Sequence, residues 1–427
     1  MDGPVTTPVN NPPRTTSPQR FSDDGTYTFF WRAHTFTALL VICCVLGYVS
    51  FMEDTPQDPS YNHQRGVIAV IIIFLLIGII HMPDGPFIRP HPVLWRLVLC
   101  ISILYVLMLI YILFQTADSA RQLLRLYDPS LGVPLEELSY AEDCSIYTPG
   151  NPKGTFHNVM IKFDVFVFCH TIGWWAKGII LRDVWLLNII SFLFELMEYT
   201  LESQLPNFAE CWWDHWIMDF IICNGLGIWL GMLTCKYFSM KEYHWTGLWK
   251  IPSLRGKMKR LVGQFTPYKW TSFEWGYTTS FQNFLLVCFL VFLWTLQELN
   301  VFYLKTVLWI PPSHTLNFYR ELFYGFSAAV AVHEGYTYLK TTDPNDPNCK
   351  IGRQSWILMA ALAIEVLIVV KFGWETITLP IPYHICVAWA VTFICFSIWV
   401  FWHFTFPFKD WPILGPRYRK LFRIKED

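Results

Sequence analysis

Runs of about 20 apolar residues recur along the whole chain, and that is the length a helix needs to cross the hydrocarbon of a bilayer. The clearest fall near 35–52, 67–82, 93–115, 184–203, 283–304, 355–372 and 383–404. Three others, 161–181, 214–238 and 316–339, carry internal charges yet are too apolar for soluble loops. Only helices satisfy their own backbone inside lipid when no strand pattern is present. The expectation is an all-α polytopic membrane protein with about ten transmembrane helices. No period of 20–50 residues repeats, which excludes a solenoid.

Composition agrees with this. Hydrophobic residues make up 53% of the 427, charged residues 15%, against about 25% in a soluble domain. Mean hydropathy is +0.33. The net charge of −1 excludes a nucleic-acid partner, which demands clustered excess Lys and Arg. The 12 Cys form no CxxC pair, so neither a zinc ribbon nor a disulfide scaffold is expected.

Basic residues in short loops set orientation. The loop 236–282 carries Lys236, Lys241, Lys250, Arg255, Lys257, Lys259, Arg260 and Lys269. The end of the chain carries Lys409, Arg417, Arg419, Lys420, Arg423 and Lys425, and the turn at 177–183 holds Lys177 and Arg182. In a ten-helix count all three fall on one side, the cytosol. The acidic loops 53–66, 117–160 and 202–213 fall on the other. Both termini are then cytosolic: a disordered tail at 1–34, without the apolar core and cleavage site of a signal peptide, and a tail at 406–427. The catalytic membrane domain spans 35–405. Cys144 and Cys211 both face the non-cytosolic, oxidising space, where a disulfide and two free thiols are equally good readings.

Ionisable groups within membrane segments are costly and seldom face lipid. Here they gather between His170 and Asn224. One helix carries Asp164 and His170; the next carries Glu195, Glu198 and Glu202, whose spacing shares a helical face. The loop Gln204-Leu-Pro-Asn-Phe-Ala-Glu-Cys-Trp-Trp-Asp214 adds Asn207, Glu210 and Asp214, and the following helix adds His215, Asp219 and Asn224. No Lys or Arg lies between Arg182 and Lys236 to pair them. Packed carboxylates cannot all stay ionised without a cation. Oxygen donors without thiolates select a hard ion, and a lumenal site selects Ca²⁺. A histidine among them can move a proton near neutral pH. The plainer readings are a carboxylate paired with a distant base and a hydrogen-bonded core histidine. Eight acidic or amide groups in one loop and two helix ends exceed what pairing explains.

Weaker signals surround this cluster. Gly225, Gly227 and Gly231 suit close helix packing. Trp174-Trp175 and Trp212-Trp213 suit membrane interfaces. The run Arg255-Gly-Lys-Met-Lys-Arg260 suits cytosolic orientation beside anionic lipid. His333-Glu334 lacks the second histidine of a zinc-protease helix.

At the 204–214 loop the chain resembles the base-exchange phosphatidylserine synthases. Gly173-Trp-Trp-Ala-Lys177, Met218-Asp-Phe-Ile-Ile-Cys-Asn-Gly-Leu-Gly-Ile-Trp-Leu-Gly231, Asp84-Gly-Pro-Phe-Ile-Arg-Pro-His-Pro-Val-Leu-Trp-Arg96 and Gly256-Lys-Met-Lys-Arg-Leu-Val-Gly-Gln-Phe-Thr-Pro267 carry the likeness, with Glu298-Leu-Asn300. It covers about 35–405. Gly247-Leu-Trp-Lys-Ile-Pro252 and Phe273-Glu-Trp275 sit closer to the ethanolamine-exchanging branch than to its choline-exchanging sister.

The resemblance implies a Ca²⁺-dependent enzyme of the endoplasmic reticulum or its mitochondria-associated membrane. It would swap the ethanolamine of phosphatidylethanolamine for L-serine and be inhibited by its product, phosphatidylserine. His170, Glu195, Glu198, Asn207, Glu210, Asp214, Asp219 and Asn224 match the family's functional positions. Arg96, Arg260 and Gln264 match its feedback positions. The expected roles are a metal set of Glu195, Glu198, Glu210 and Asp214, catalytic groups His170, Asp219 and Asn224, and substrate contacts Asn207 and Glu202. A homodimer is left open. Two rival readings share these features. One is a CDP-alcohol phosphatidyltransferase, whose Asp-Gly…Ala-Arg…Gly signature is missing beyond Asp84-Gly85. The other is a cation transporter using the same carboxylates.

Overall fold

A computed structural model describes residues 33–51, 59–135, 141, 143–150, 152–163, 165–241, 247, 250–341 and 350–405. The expected tails, Asp164 and the loop residues between these stretches lie outside the described residues. The chain divides into two compact units, 1–56 with 245–260, and 57–244 with 261–427. In chain order the helices are α1 (Ala33–Phe51), α2 (Pro59–His81), α3 (Pro92–Leu113), α4 (Ala117–Tyr127), α5 (His157–Met160), α6 (Val165–Leu181) and α7 (Val184–Leu201). A π-helix (Asp214–Asn224) then runs straight into α8 (Gly225–Met240). After it come α9 (Leu254–Gly263), α10 (Phe281–Leu308), α11 (Thr315–Lys340), α12 (Arg353–Phe372), α13 (Trp374–Ile377) and α14 (Tyr383–Thr405). No strand occurs among the described residues.

Each of the ten expected segments is helical. Seven helices among the described residues are long and apolar enough to cross a bilayer; α6 is apolar but shorter, and α1 contributes the apolar stretch Leu39–Phe51. Three boundaries differ from the sequence reading. α2 begins at Pro59, several residues into the expected loop, because proline is welcome in a first turn. The segment expected from 161 is broken near its start, where α5 ends and α6 begins at Val165. The loop 117–160 contains α4, an amphipathic helix capped by Thr116.

Side-chain caps define several starts. Asp183 accepts from Leu186 N–H at 3.0 Å to open α7, and Ser280 accepts from Asn283 N–H at 3.2 Å to open α10. α12 opens differently: Glu334 of α11 accepts from the backbone N–H and the hydroxyl of Ser355, both at 2.9 Å. α11 carries Arg320, Glu321, His333 and Glu334, so it reads as less apolar than its neighbours. Its Arg320 grips fully buried Glu365 of α12 at 2.7 Å, and Asn300 of α10 donates to the same carboxylate at 3.1 Å. Tyr105 of α3 donates to it as well. Outward faces are apolar, with Phe393 and Ile398 of α14 at 70% and 58% exposure, a surface suited to lipid and not to water.

α6 and α8 pack backbone to backbone. A methyl at Gly227 would meet Thr171 O at 2.5 Å, and one at Gly231 would meet the Gly178 Cα at 3.0 Å. The expected small-residue seam is therefore real at Gly227 and Gly231. Gly225 does not share it, its nearest neighbour being Phe220 O of its own helix at 3.9 Å.

Candidate active site

α7, the π-helix and α6 converge on one polar centre within the second unit. Glu195 and Glu198 stand one turn apart on α7, Glu195 fully buried. The π-helix places Asp214, His215, Asp219 and Asn224 opposite. Its wider turn matters: in an α-helix, residues five apart diverge by about 140°, whereas the i→i+5 repeat brings Asp214, Asp219 and Asn224 nearer one line. The entry to this helix is fixed by a disulfide between Cys144 and Cys211, with Cα atoms 5.2 Å apart. Trp213 Nε1 also donates to Cys144 O at 3.1 Å. Of the two readings of these cysteines, the bonded one holds.

The groups interlock. Asn224 Nδ2 donates to Ser191 Oγ and to Glu195 Oε1, both at 2.9 Å. His215 Nε2 lies 3.0 Å from the Glu195 carbonyl, and its Nδ1 faces Glu195 Oε2 at 3.4 Å and Glu198 Oε2 at 3.7 Å. His170 Nδ1 is 3.5 Å from Asp219 Oδ1. Glu210, in the loop before the π-helix, shares a hydrogen bond with Asp219. Burial, then the charges of Asp219 and Asp214, push Glu210 up to about 8.

The sequence-predicted residues divide accordingly. Glu195, Glu198, Asn224, His170, Asp219 and Glu210 come together. Asp214 is buried but ion-paired with Lys162 at 2.8 Å, so one expected metal ligand already has a cationic partner. That pairing corrects the view that no base is at hand: Lys162 lies upstream in sequence and reaches the cluster through the fold. Glu202 ends α7 exposed, and Asn207 is half-buried in the short turn Pro206–Phe208. For His215 the sequence offers no role, only its places beside Asp214 and four residues before Asp219; the fold turns its Nδ1 onto two carboxylates of α7.

Glu195, Glu198 and His215 each offer a ligand atom, all within 4.8 Å of one another. Two buried acceptors, Glu195 Oε2 and Asn224 Oδ1, meet no hydrogen-bond donor among the described residues. An acceptor without a donor in the membrane interior is costly, and a divalent cation would satisfy both. The donor set therefore fits such an ion.

The expected feedback residues are partly engaged elsewhere. Arg96 is buried, donating to Asp84 at 2.7 Å and to Ile79 O at 3.0 Å. Gln264 binds the side chain of Arg89 and the carbonyl of Pro90. Arg260 lies on α9, in the first unit.

The description of the family "phosphatidyl serine synthase" matches residues 90–373. Human phosphatidylserine synthase 2 is 50% identical over 382 residues, 90% of this chain and 78% of that protein. A rice protein named CDP-diacylglycerol–serine O-phosphatidyltransferase 2 is 40% identical over 368 residues, 85% of this chain and 86% of its own. Zebrafish phosphatidylserine synthase 1 is 37% identical over 390 residues, 89% and 81% of the two chains.

Proposed function

The chain belongs to the phosphatidyl serine synthase family, and from that premise we propose that this multi-pass membrane enzyme makes phosphatidylserine by Ca²⁺-dependent base exchange with phosphatidylethanolamine. The observation that carries the reading is the pair of donorless acceptors, Glu195 Oε2 and Asn224 Oδ1, beside a histidine and several carboxylates. Glu195, Glu198 and Glu210, with Asn224 Oδ1 and His215 Nδ1 near, would hold the ion. Asp214, neutralised by Lys162, supports the rim. A bound Ca²⁺ would screen the lipid phosphate and lower the charge that opposes attack.

The chain's own groups do the rest. His170, 3.5 Å from Asp219, accepts the proton of the serine hydroxyl as its oxygen bonds to phosphorus. The phosphorus–oxygen bond to ethanolamine breaks, and His170 returns the proton to the departing oxygen. Asp219 orients the imidazole and stabilises its cationic form. One phosphodiester replaces another, so the exchange is close to thermoneutral and needs no nucleotide. Water must be kept from the phosphorus, or the lipid would be hydrolysed.

The disulfide supports a lumenal site in the endoplasmic reticulum, because Cys144 and Cys211 join two loops expected on one oxidising side. Product inhibition belongs to the same reading; for Arg96 and Gln264, both in the second unit, it is supported by the anchoring of Gln264 to the 84–91 loop, next to Arg96. The name of the rice relative makes CDP-diacylglycerol the competing donor. Purified protein given labelled serine decides between them. Exchange from phosphatidylethanolamine that vanishes with a chelator is expected. Incorporation that needs CDP-diacylglycerol instead would overturn base exchange.

A further inference from the structure

A cavity of about 310 Å³ lies between α6, α10, α11 and α12, wholly within the second unit. Its wall is mainly apolar, with Leu290, Val332 and Met359 among the lining. Along α10 the lining runs from Leu286 to Glu298, about 18 Å at 1.5 Å per residue. The hydrocarbon half-thickness of a bilayer, one acyl chain deep, is about 15 Å.

Charged lining groups collect at one end. Gln297 and Glu298 close the α10 stretch, and Glu321 opens the antiparallel α11 stretch. There Lys177 pairs with Glu298 at 2.6 Å, and Trp294 Nε1 donates to Glu298 at 3.0 Å. Lys177 follows His170 by two turns on α6, hence on the same face. Lys177 and Glu298 are near enough for their charges to act on His170, and Glu298 acts on Glu198 too. The charged end of the cavity thus adjoins the catalytic carboxylates.

The glycines reveal that the space is kept open. Gly173, Gly325 and Gly335 all line it, and all sit inside helices, where glycine is less stable than alanine. A methyl on any of the three would meet nothing within 4 Å. They differ from Gly227 and Gly231, whose missing side chains let two backbones touch. Here the missing side chains yield volume alone. An apolar void stays dry and takes an apolar guest.

We propose that this cavity receives an acyl chain of the phospholipid substrate, with the head group turned past Lys177 and Glu298 toward the carboxylate site. The length of the cavity then sets which chains the enzyme accepts. The inference rests on the synthase reading above and names the acyl subsite of that reaction.

Two experiments test it. Gly335→Leu and Ala328→Leu fill the middle of the cavity without touching the catalytic groups. Exchange is measured with dihexanoyl and dioleoyl phosphatidylethanolamine, alongside the thermal unfolding midpoint. The expected result is a fall of roughly 10-fold or more in kcat/KM for the dioleoyl donor, with the dihexanoyl donor unchanged. Equal losses for both donors, or none, at an unchanged midpoint would overturn the proposal. The second experiment uses the unsubstituted protein in nanodiscs holding a phospholipid with a diazirine in its acyl chain. Photoadducts at Leu290, Val332 or Met359 are expected. Adducts confined to bilayer-facing residues such as Phe393 and Ile398 would refute the cavity. This readout needs no turnover, so a failure of base exchange and a failure of the acyl subsite are told apart.

Discussion

The side-chain amide of Asn224 meets the Glu195 carboxylate at 2.9 Å where neither residue has any solvent exposure. Among the described residues that amide is the only side-chain group that hydrogen-bonds to the Glu195 carboxylate, and it also serves Ser191. Asn224→Ala should strip both acceptors and lower stability by about 1–3 kcal/mol. Asn224→Asp should set two carboxylates side by side and raise the cation concentration needed for activity. Thermal unfolding of the detergent-purified variants, with and without Ca²⁺, reads both effects. An unchanged midpoint in Asn224→Ala would show that the amide holds nothing.

His170→Ala should reduce serine incorporation by roughly 10²–10⁴-fold while the protein still folds. Asp219→Asn should lose less, since the amide retains a hydrogen-bonding oxygen near His170. Initial rates with labelled serine, compared at equal amounts of folded protein, give the ranking. Near-normal exchange by His170→Ala would remove it from the chemistry.

Glu210 predicts a pH dependence. Burial, reinforced by Asp219 and Asp214, holds its pKa at about 8 when no cation neutralises the cluster. Below that value the carboxyl carries a proton that an incoming cation must displace, so apparent cation affinity should weaken as pH falls below about 8. The sign for stability is the reverse of the usual carboxylate. A pKa raised in the folded state contributes stability that is intact below the unfolded value and is lost as pH rises through about 8. Chelated protein should therefore unfold more readily above pH 8 than near pH 6, and Glu210→Gln should flatten both trends. Cation titrations followed by thermal shift across this range provide the check.

The Cys144–Cys211 bond closes a loop of 67 residues and fixes the start of the π-helix. Reduction, or Cys144→Ser, should cost about 2–4 kcal/mol of stability. Activity should fall with it, because Asp214 and His215 begin three residues beyond the bond. Unfolding curves with and without reductant test this, and an impermeant thiol reagent on sealed microsomes reports on which side the freed thiols lie.

Arg320 and Glu365 form a buried pair at 2.7 Å. Glu365→Leu alone should cost about 3–5 kcal/mol by stranding the guanidinium, whereas Arg320→Met combined with Glu365→Leu should recover much of the loss. Comparing the unfolding midpoints of single and double variants separates pairing from mere packing.

Much of the architecture could be read from local pattern, because a membrane helix is specified by its own length and apolarity. α3, α7, α10 and α12 needed nothing from elsewhere in the chain. α11 was harder to recognise, since Arg320 and Glu334 look unsuited to lipid until their partners on or at the start of α12 are seen. The site divides the same way. Glu195 and Glu198 declare themselves by one-turn spacing, and Asp219 by its nearness to a histidine. The pairing of Lys162 with Asp214 could not be inferred, because the two are joined only when α6 folds back beside the π-helix. Nor could the role of His215, because α-helical spacing groups it with Asp219 whereas the π-helix turns it toward α7. Glu202 shares the spacing of Glu195 and Glu198, but α7 ends beside it and its side chain is exposed.

The methyl-free contact between Gly178 and Gly231 acts as a gauge for the chemistry. α6 carries His170, the proposed proton acceptor, and α8 is continuous with the π-helix that carries Asp219, so the separation of these two groups follows from how closely the two backbones meet below them. Added bulk at Gly227 or Gly231 would act like a shim under one jaw of a clamp. It would spoil the alignment of His170 with Asp219 without altering either side chain, and neither serine nor cation added in excess could restore it.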